Sequence, residues 1–311
     1  ALKLNLSHLF SPNPNAIEAL SLGLEKINSK NLKELIIGCY SGFSDIEMVR
    51  LAKALRPFSS LSTFHLLVNS SNIFTDTAMI SLFNNLSCFE SLKNIELAFT
   101  ACRGIRDPAL QVISRQLLRF KNITQIKLKF PQCHEISNAG LKSLAEECLS
   151  RFKNLTLLCL DFTHNVHITD KGLESLAGAV KDLGSLERLS LEFSFGTNLK
   201  NNAMKNVATC LKNKEHLLDL YLNFSYCEKI NDAGIKTLVA ELKKLTTLRK
   251  LFLGFLHCWD VKGSSYRDLF IKILDNLEAL ETFSFFAMKA KNNQCQDLIQ
   301  EMTEKFKGLE L

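Results

Sequence analysis

Apolar positions along the chain follow two alternating periods, and the alternation recurs about every 31 residues from one end to the other. Leu155, Leu158 and Leu160 return as Leu186, Leu189 and Leu191, and again as Leu217, Leu220 and Leu222, each triplet 31 residues after the last. In the clearest copy Leu220, Leu222 and Phe224 lie two apart, which places them on one inward face of a short strand. Beyond them Ile235, Leu238, Val239, Leu242 and Leu245 form the apolar stripe of an amphipathic helix. The stripe recurs as Met48, Leu51, Ala52, Leu55 and Phe58, and as Leu110, Ile113, Ser114, Leu117 and Phe120, where only Ser114 is polar. In longer repeats the last step widens by one, from Cys148 to Phe152 and from Ile273 to Leu277, which predicts an extra residue at a helix end.

A strand, a right-handed crossover helix and the next strand, repeated, build one parallel sheet with the helices on its other side. Strands stack about 4.8 Å apart, whereas helices with their side chains need about 10 Å, so the stack bends. The predicted fold is an α/β solenoid: a horseshoe with the sheet on the concave face and α-helices on the convex face. Strand segments are predicted to begin at Ala1, Leu32, Leu61, Leu92, Ile123, Leu155, Leu186, Leu217, Leu248 and Leu280. Three residues before each helix's first apolar position comes Asp45, Asp76, Asp107, Asn138, Asp170, Asn201, Asp232 or Asn292. These residues read as N-caps rather than as a cation-binding edge, and Pro108 after Asp107 suits a first helical turn.

Composition narrows the picture. A periodic chain buries its core one repeat at a time, so residues 1–311 read as a single domain of about ten repeats despite the length. The net charge of +6 arises from 38 basic and 32 acidic residues spread without a basic stripe, so no nucleic-acid partner is expected. No apolar run reaches the roughly 18 residues of a membrane span, and the opening ALKLNLSHLF lacks a signal-peptide pattern. A cytoplasmic protein without membrane insertion is expected. Ten cysteines without a CxxC pair read as buried thiols. The glycosylation-like tripeptides at Asn122 and Asn154 fall at strand entrances and read as chance.

The unit LxxLxLxFxxCxxIxDxGLxxLAxxLxxLxx resembles the leucine-rich-repeat superfamily, in its ribonuclease-inhibitor-like branch. The stretch from Cys227 to Leu238 is similar to the cysteine-containing repeats of F-box-type ubiquitin-ligase adaptors. The unit exceeds the usual length of roughly 20 to 29 residues, and Phe99, Phe130, Phe162, Phe193, Phe224 and Phe255 extend each strand's inward face by one position. Long repeats of this kind resemble those of protist proteins that look like cytoskeletal or scaffold components. The resemblance implies a horseshoe that binds one or more proteins, cytoplasmic and in a cytoskeletal or ciliary assembly. It also implies two alternatives: the substrate-recognition arm of an F-box-type ubiquitin ligase, and a regulator of a small GTPase.

Chemistry is sparse. Cys102, Cys133, Cys227 and Cys258 repeat in phase with the core, with Asn165 and Gly196 replacing them in the middle, so they read as a structural ladder. Cys133, His134, His164 and His167 offer zinc-type ligands, but loop histidines beside a buried thiol are the expected reading, and no metal is assigned. No nucleophile–base pairing, phosphate loop or paired carboxylates stands out, so no enzyme activity and no cofactor are expected. On the concave wall Glu96 beside Lys127 and Lys129 beside Asp161 are expected to neutralise one another. Toward the C-terminal end the same rows become Tyr221, Phe252, Leu256, Phe286 and Met288, which the core does not require. Exposed neighbouring apolar side chains mark a protein interface, so these five are the candidate partner-binding residues. The chain opens at Leu4 and Leu6 of a strand and stops at Leu309 and Leu311, where an eleventh strand is expected, so it reads as a fragment of a longer protein.

Overall fold

In the computed structural model, residues 2–9, 14–27, 31–39, 43–69, 73–86, 89–261 and 263–287 are described. Ala1, Met288, Asn292, Leu309 and Leu311 lie outside them. The strands are β1 (Leu2–Leu9), β2 (Leu32–Cys39), β3 (Thr63–Asn69), β4 (Asn94–Thr100), β5 (Gln125–Lys129), β6 (Leu157–Asp161), β7 (Arg188–Glu192), β8 (Asp219–Asn223), β9 (Lys250–Phe255) and β10 (Thr282–Ala287). They form one sheet in sequence order, every neighbouring pair parallel. The helices are α1 (Pro14–Glu25), α2 (Asp45–Leu55), α3 (Asp76–Asn85), α4 (Asp107–Leu117), α5 (Asn138–Lys142), α6 (Asp170–Val180), α7 (Asn201–Cys210), α8 (Asp232–Leu242) and α9 (Gly263–Asn276). Each packs on the next along the opposite side. The fold is therefore an α/β leucine-rich-repeat solenoid.

From β3 to β9 the strands begin two residues after the leading leucine of each repeat. Leu61, Leu92, Leu155, Leu186 and Leu217 are fully buried but plug the core from the turn before the strand. Phe74, Phe99, Phe130, Phe162, Phe193 and Phe224 stack in series at 5.3–5.8 Å between ring centroids. In β3 the strand position paired with Phe99 is Val68, and Phe74 from the following loop supplies the missing ring.

The Asp/Asn series is not the set of N-caps. The caps are the residues one earlier, and Ser44, Thr75, Ser137, Thr169 and Asn231 accept from a backbone N–H of their own first turn. The Asp or Asn is the first helical residue, and its side chain reaches into the next repeat. Asp107 accepts from Ser137 N (2.8 Å), Ser137 Oγ (2.6 Å) and Gly140 N (3.0 Å). Asp45 does the same to Thr75, at 2.7 Å from N and 2.6 Å from Oγ1. Asn138, Asp170 and Asn201 bond Thr169 N, Lys200 N and Asn231 N at 2.8–2.9 Å. A bridging side chain leaves no room above it: a Cβ on Gly172 would meet Asn138 Oδ1 at 2.8 Å. The glycine of the repeat signature is thus set by its neighbour's carboxylate or amide.

The extra residue of the fifth repeat is not a helix-end insertion. After α5 the helix widens into a π turn over Ser143–Cys148 and closes as a 3-10 turn over Leu149–Arg151, so the added residue is taken up inside the helix. Ser114, the polar member of the α4 stripe, is fully buried and donates to Leu110 O at 2.7 Å.

Candidate functional site

Because the strands share one register, the sheet's open face is a grid of rows. The central row runs Glu96, Lys127, Cys159, Ser190, Tyr221, Phe252 and Ser284. Beside it on one side lie Leu157, Arg188, Asp219, Lys250 and Thr282, and on the other Lys129, Asp161, Glu192, Asn223, Gly254 and Phe286.

The predicted aromatic residues do come together. Tyr221 and Phe252 stack with ring centroids 4.0 Å apart and planes 8° from parallel. Phe286 is one row over, tilted against Phe252 at 5.3 Å, and is 41% exposed. It pairs across the sheet with Gly254. Leu256 follows β9 and is half-buried, with its N–H donating to Ser225 Oγ at 3.2 Å. The Tyr221 hydroxyl lies beside the Glu192 carboxylate and the Asn223 amide. Glu192 also accepts from Ser194 Oγ (2.6 Å) and Asn223 Nδ2 (3.0 Å), and its burial raises the carboxyl above its usual range. Burial and that neighbouring carboxylate together push the Tyr221 hydroxyl up.

Around Tyr221 the face dips into a groove of about 320 Å³, with Cys159 and Ser190 as its low points and Lys127, Arg188 and Lys250 on its flanks. Cys159 is half-buried, whereas the other described cysteines are buried. Burial raises all the thiols for which a shift is resolved, Cys39, Cys148, Cys210 and Cys258 to about 12.

On the charged half of the wall the expected Glu96–Lys127 pair forms, but Lys129 does not pair with Asp161. Glu96 accepts from both Lys127 Nζ (3.2 Å) and Lys129 Nζ (2.6 Å), and His65 Nδ1 is 3.7 Å away. Burial opposes the charged form of Glu96, but the two ammonium groups outweigh it and hold the carboxyl below its usual range. Lys129 therefore turns back to Glu96, while Asp161, its register partner, accepts from Thr163 N at 2.9 Å.

The cysteine ladder is a set of donors. Cys133, Cys227 and Cys258 direct their thiols to the carbonyl of the preceding repeat's inward phenylalanine, at 3.0, 3.4 and 3.3 Å. Asn165 makes the same bond to Phe130 O at 2.8 Å, but its buried Oδ1 has no partner. Cys133 is thus turned into the core. His134 Nδ1 lies 2.9 Å from His164 O and the His164 ring stacks on Phe195, so the four zinc-type residues do not converge. Among the described residues no group of His, Cys, Asp and Glu is arranged to hold a metal ion.

A second aromatic series lies on the rim just beyond the strands. His164, Phe195, Tyr226 and His257 stack at 3.8–4.3 Å, and Trp259, 56% exposed, meets the edge of His257. All four stacked residues have φ near +60°, as do Ala101 and Gln132 at the equivalent positions. The left-handed turn aims each backbone N–H at the next repeat, as in Phe195 N to Ser225 O at 2.8 Å. Neighbouring rings then cover those bonds. The signal available in the sequence was the 31-residue spacing from Phe195 to Tyr226 to His257, hidden because the position carries Ala and Gln in earlier repeats.

A family model described as a leucine-rich repeat matches residues 153–177, which span the turn before β6 through most of α6. Among curated proteins no sequence matches. Among solved structures, a chain of the crystal structure of the Rad7 and Elc1 complex in yeast superposes with a TM-score of 0.52 at 15% identity, covering 90% of this chain and 69% of that one. The likeness is one of fold.

Proposed function

We propose that the protein is a non-enzymatic protein-binding scaffold, a structural subunit of a larger assembly, whose partner docks on the C-terminal half of the concave wall. The observation that carries this reading is the stack of Tyr221, Phe252 and Phe286 on the face that the core does not use. Rigid aromatic side chains beside a groove are the anchors that dominate binding energy in protein interfaces. Leu256 extends the same surface in this reading, whereas Met288, also expected in this set, lies outside the described residues. A repeat whose known role elsewhere is protein binding, and a fold shared with a chain of a two-protein complex, support it.

The test is affinity purification with mass spectrometry from native extract, comparing the unaltered chain with a folded Tyr221→Ser, Phe252→Ser, Phe286→Ser variant. Partners lost only from the variant are the expected result. An unchanged partner set would move the interface to the helices, the rim or the charged half of the wall. The second reading, a substrate-recognition arm of a ubiquitin ligase, draws on the cysteine-containing repeat from Cys227 to Leu238. Ligase subunits recovered equally with both chains would favour it.

A further inference from the structure

The ring stack on the concave wall ends abruptly. Phe252 is covered on one side by Phe286 and on the other by Tyr221, but the register neighbour of Tyr221 on its far side is Ser190, followed by Cys159. Among the described residues no other ring stacks on Tyr221. Two small side chains in a row, next to the Tyr221 ring, leave the pit at the bottom of the groove.

The charges around this pit are one-sided. Lys127, Arg188 and Lys250 flank the groove against a single acidic residue, Asp219, a surplus of two positive charges. Among the described residues Arg188 and Lys250 make no ion pair, although Asp219 sits between them in the same row. Lys127 shares its one carboxylate, Glu96, with Lys129. The acidic groups Asp161 and Glu192 belong to the opposite row, beyond the aromatic one. A ligand seated here therefore meets Arg188 and Lys250, with Asp219 between them, along one long edge and Asp161 and Glu192 along the other.

Resting on the proposed function, we infer that the partner segment in this groove is an acidic peptide with an aromatic anchor. Its ring lies over Ser190 and Cys159 as the next rung on Tyr221, and its carboxylates lie along the edge formed by Arg188 and Lys250. Stacking on the Tyr221 ring supplies affinity, and Arg188 and Lys250 supply orientation and selectivity. An anchor there also covers the Cys159 thiol, the accessible one among the described cysteines.

The probe is a fluorescein-labelled nonapeptide with a central phenylalanine flanked by aspartate and glutamate, followed by fluorescence anisotropy. Its counterparts carry serine flanks, lysine flanks, or a central alanine. The acidic phenylalanine peptide is expected to bind about tenfold more tightly than the serine-flanked or alanine-centred ones, with the lysine-flanked one weakest. Arg188→Glu with Lys250→Glu, both exposed positions, should reverse the order of acidic and lysine-flanked peptides. Ser190→Phe fills the vacant rung from within and should abolish binding, and the bound peptide should slow alkylation of Cys159. Equal binding of acidic and serine-flanked peptides, an order unmoved by charge reversal, undiminished binding to Ser190→Phe, or no binding of the acidic peptide would each overturn the inference. None of these touches the broader reading, which stands or falls on whether native partners are lost from the serine-substituted aromatic variant.

Discussion

At the scale of single residues, two core positions break the repeat's own rule. Asn165 stands where four other repeats place a cysteine, and it reproduces the donor function while burying an acceptor with nothing to accept from. An unsatisfied buried group costs about 1–3 kcal/mol, so Asn165→Cys is expected to stabilise the protein by about 1 kcal/mol, read as a higher urea midpoint with unchanged slope. Lys214 is the second exception. It lies 31 residues after Leu183 and 31 before Leu245, both buried, and is itself only 2% exposed, with its amine donating to Lys181 O (2.9 Å) and Lys212 O (3.2 Å). Burial pushes the ammonium from 10.5 down to about 8. Between those values the unfolded chain holds more protons than the folded one, so this residue makes stability rise with pH through that window. Lys214→Leu is expected to add about 2 kcal/mol at pH 7 and progressively less toward pH 10.5, measurable by urea titration at both ends. Sequence alone showed Lys214 as one lysine among many, because nothing but its phase in the repeat marks it as interior.

At the scale of elements, strands and helices were legible because their apolar periods are unmixed, two in the strands and three to four in the helices. The link between repeats was not. Five of the described helices begin with a doublet such as Ser44-Asp45 or Thr169-Asp170, in which both members are good caps in isolation. Only the three-dimensional stacking shows that the first caps its own helix and the second ties down the next. Asp107→Ala is therefore expected to act between repeats. Losing three bonds to one carboxylate should destabilise by about 2–3 kcal/mol. Amide hydrogen exchange should quicken in α5, the neighbouring helix, more than in α4 itself. A simple N-cap loss would give the opposite pattern.

At the scale of the whole molecule, stability is carried by neighbours only, so damage in the middle should divide the structure. Phe162 lies near the middle of the sheet, fully buried and stacked on Phe130 and Phe193 at 5.8 and 5.7 Å. Phe162→Ala is expected to cost about 3–5 kcal/mol and to turn one denaturation transition into two, detectable as probe-dependent melting. The candidate interface was partly legible at this scale. Tyr221, Phe252 and Phe286 betrayed themselves as aromatics at outward positions, and the structure joins them. The groove beside them was not, since its defining features are the small side chains of Cys159 and Ser190, and small residues announce nothing in a sequence. The rim stack was hidden for a different reason: its left-handed backbone conformation is one that glycine or asparagine ordinarily marks, and here neither is present.

The π turn between Ser143 and Cys148 bears on how such a chain tolerates change. An added residue would ordinarily slide everything after it, yet β5 and β6 pair in the same register as their neighbours. The surplus is spent as a local widening of the helix, on the side away from the open face of the sheet. The two surfaces are thereby uncoupled: lengths can drift on the outer side while the inner one keeps a fixed lattice of side-chain addresses. Any single address, such as the vacant one at Ser190, can then be rewritten without disturbing the rest.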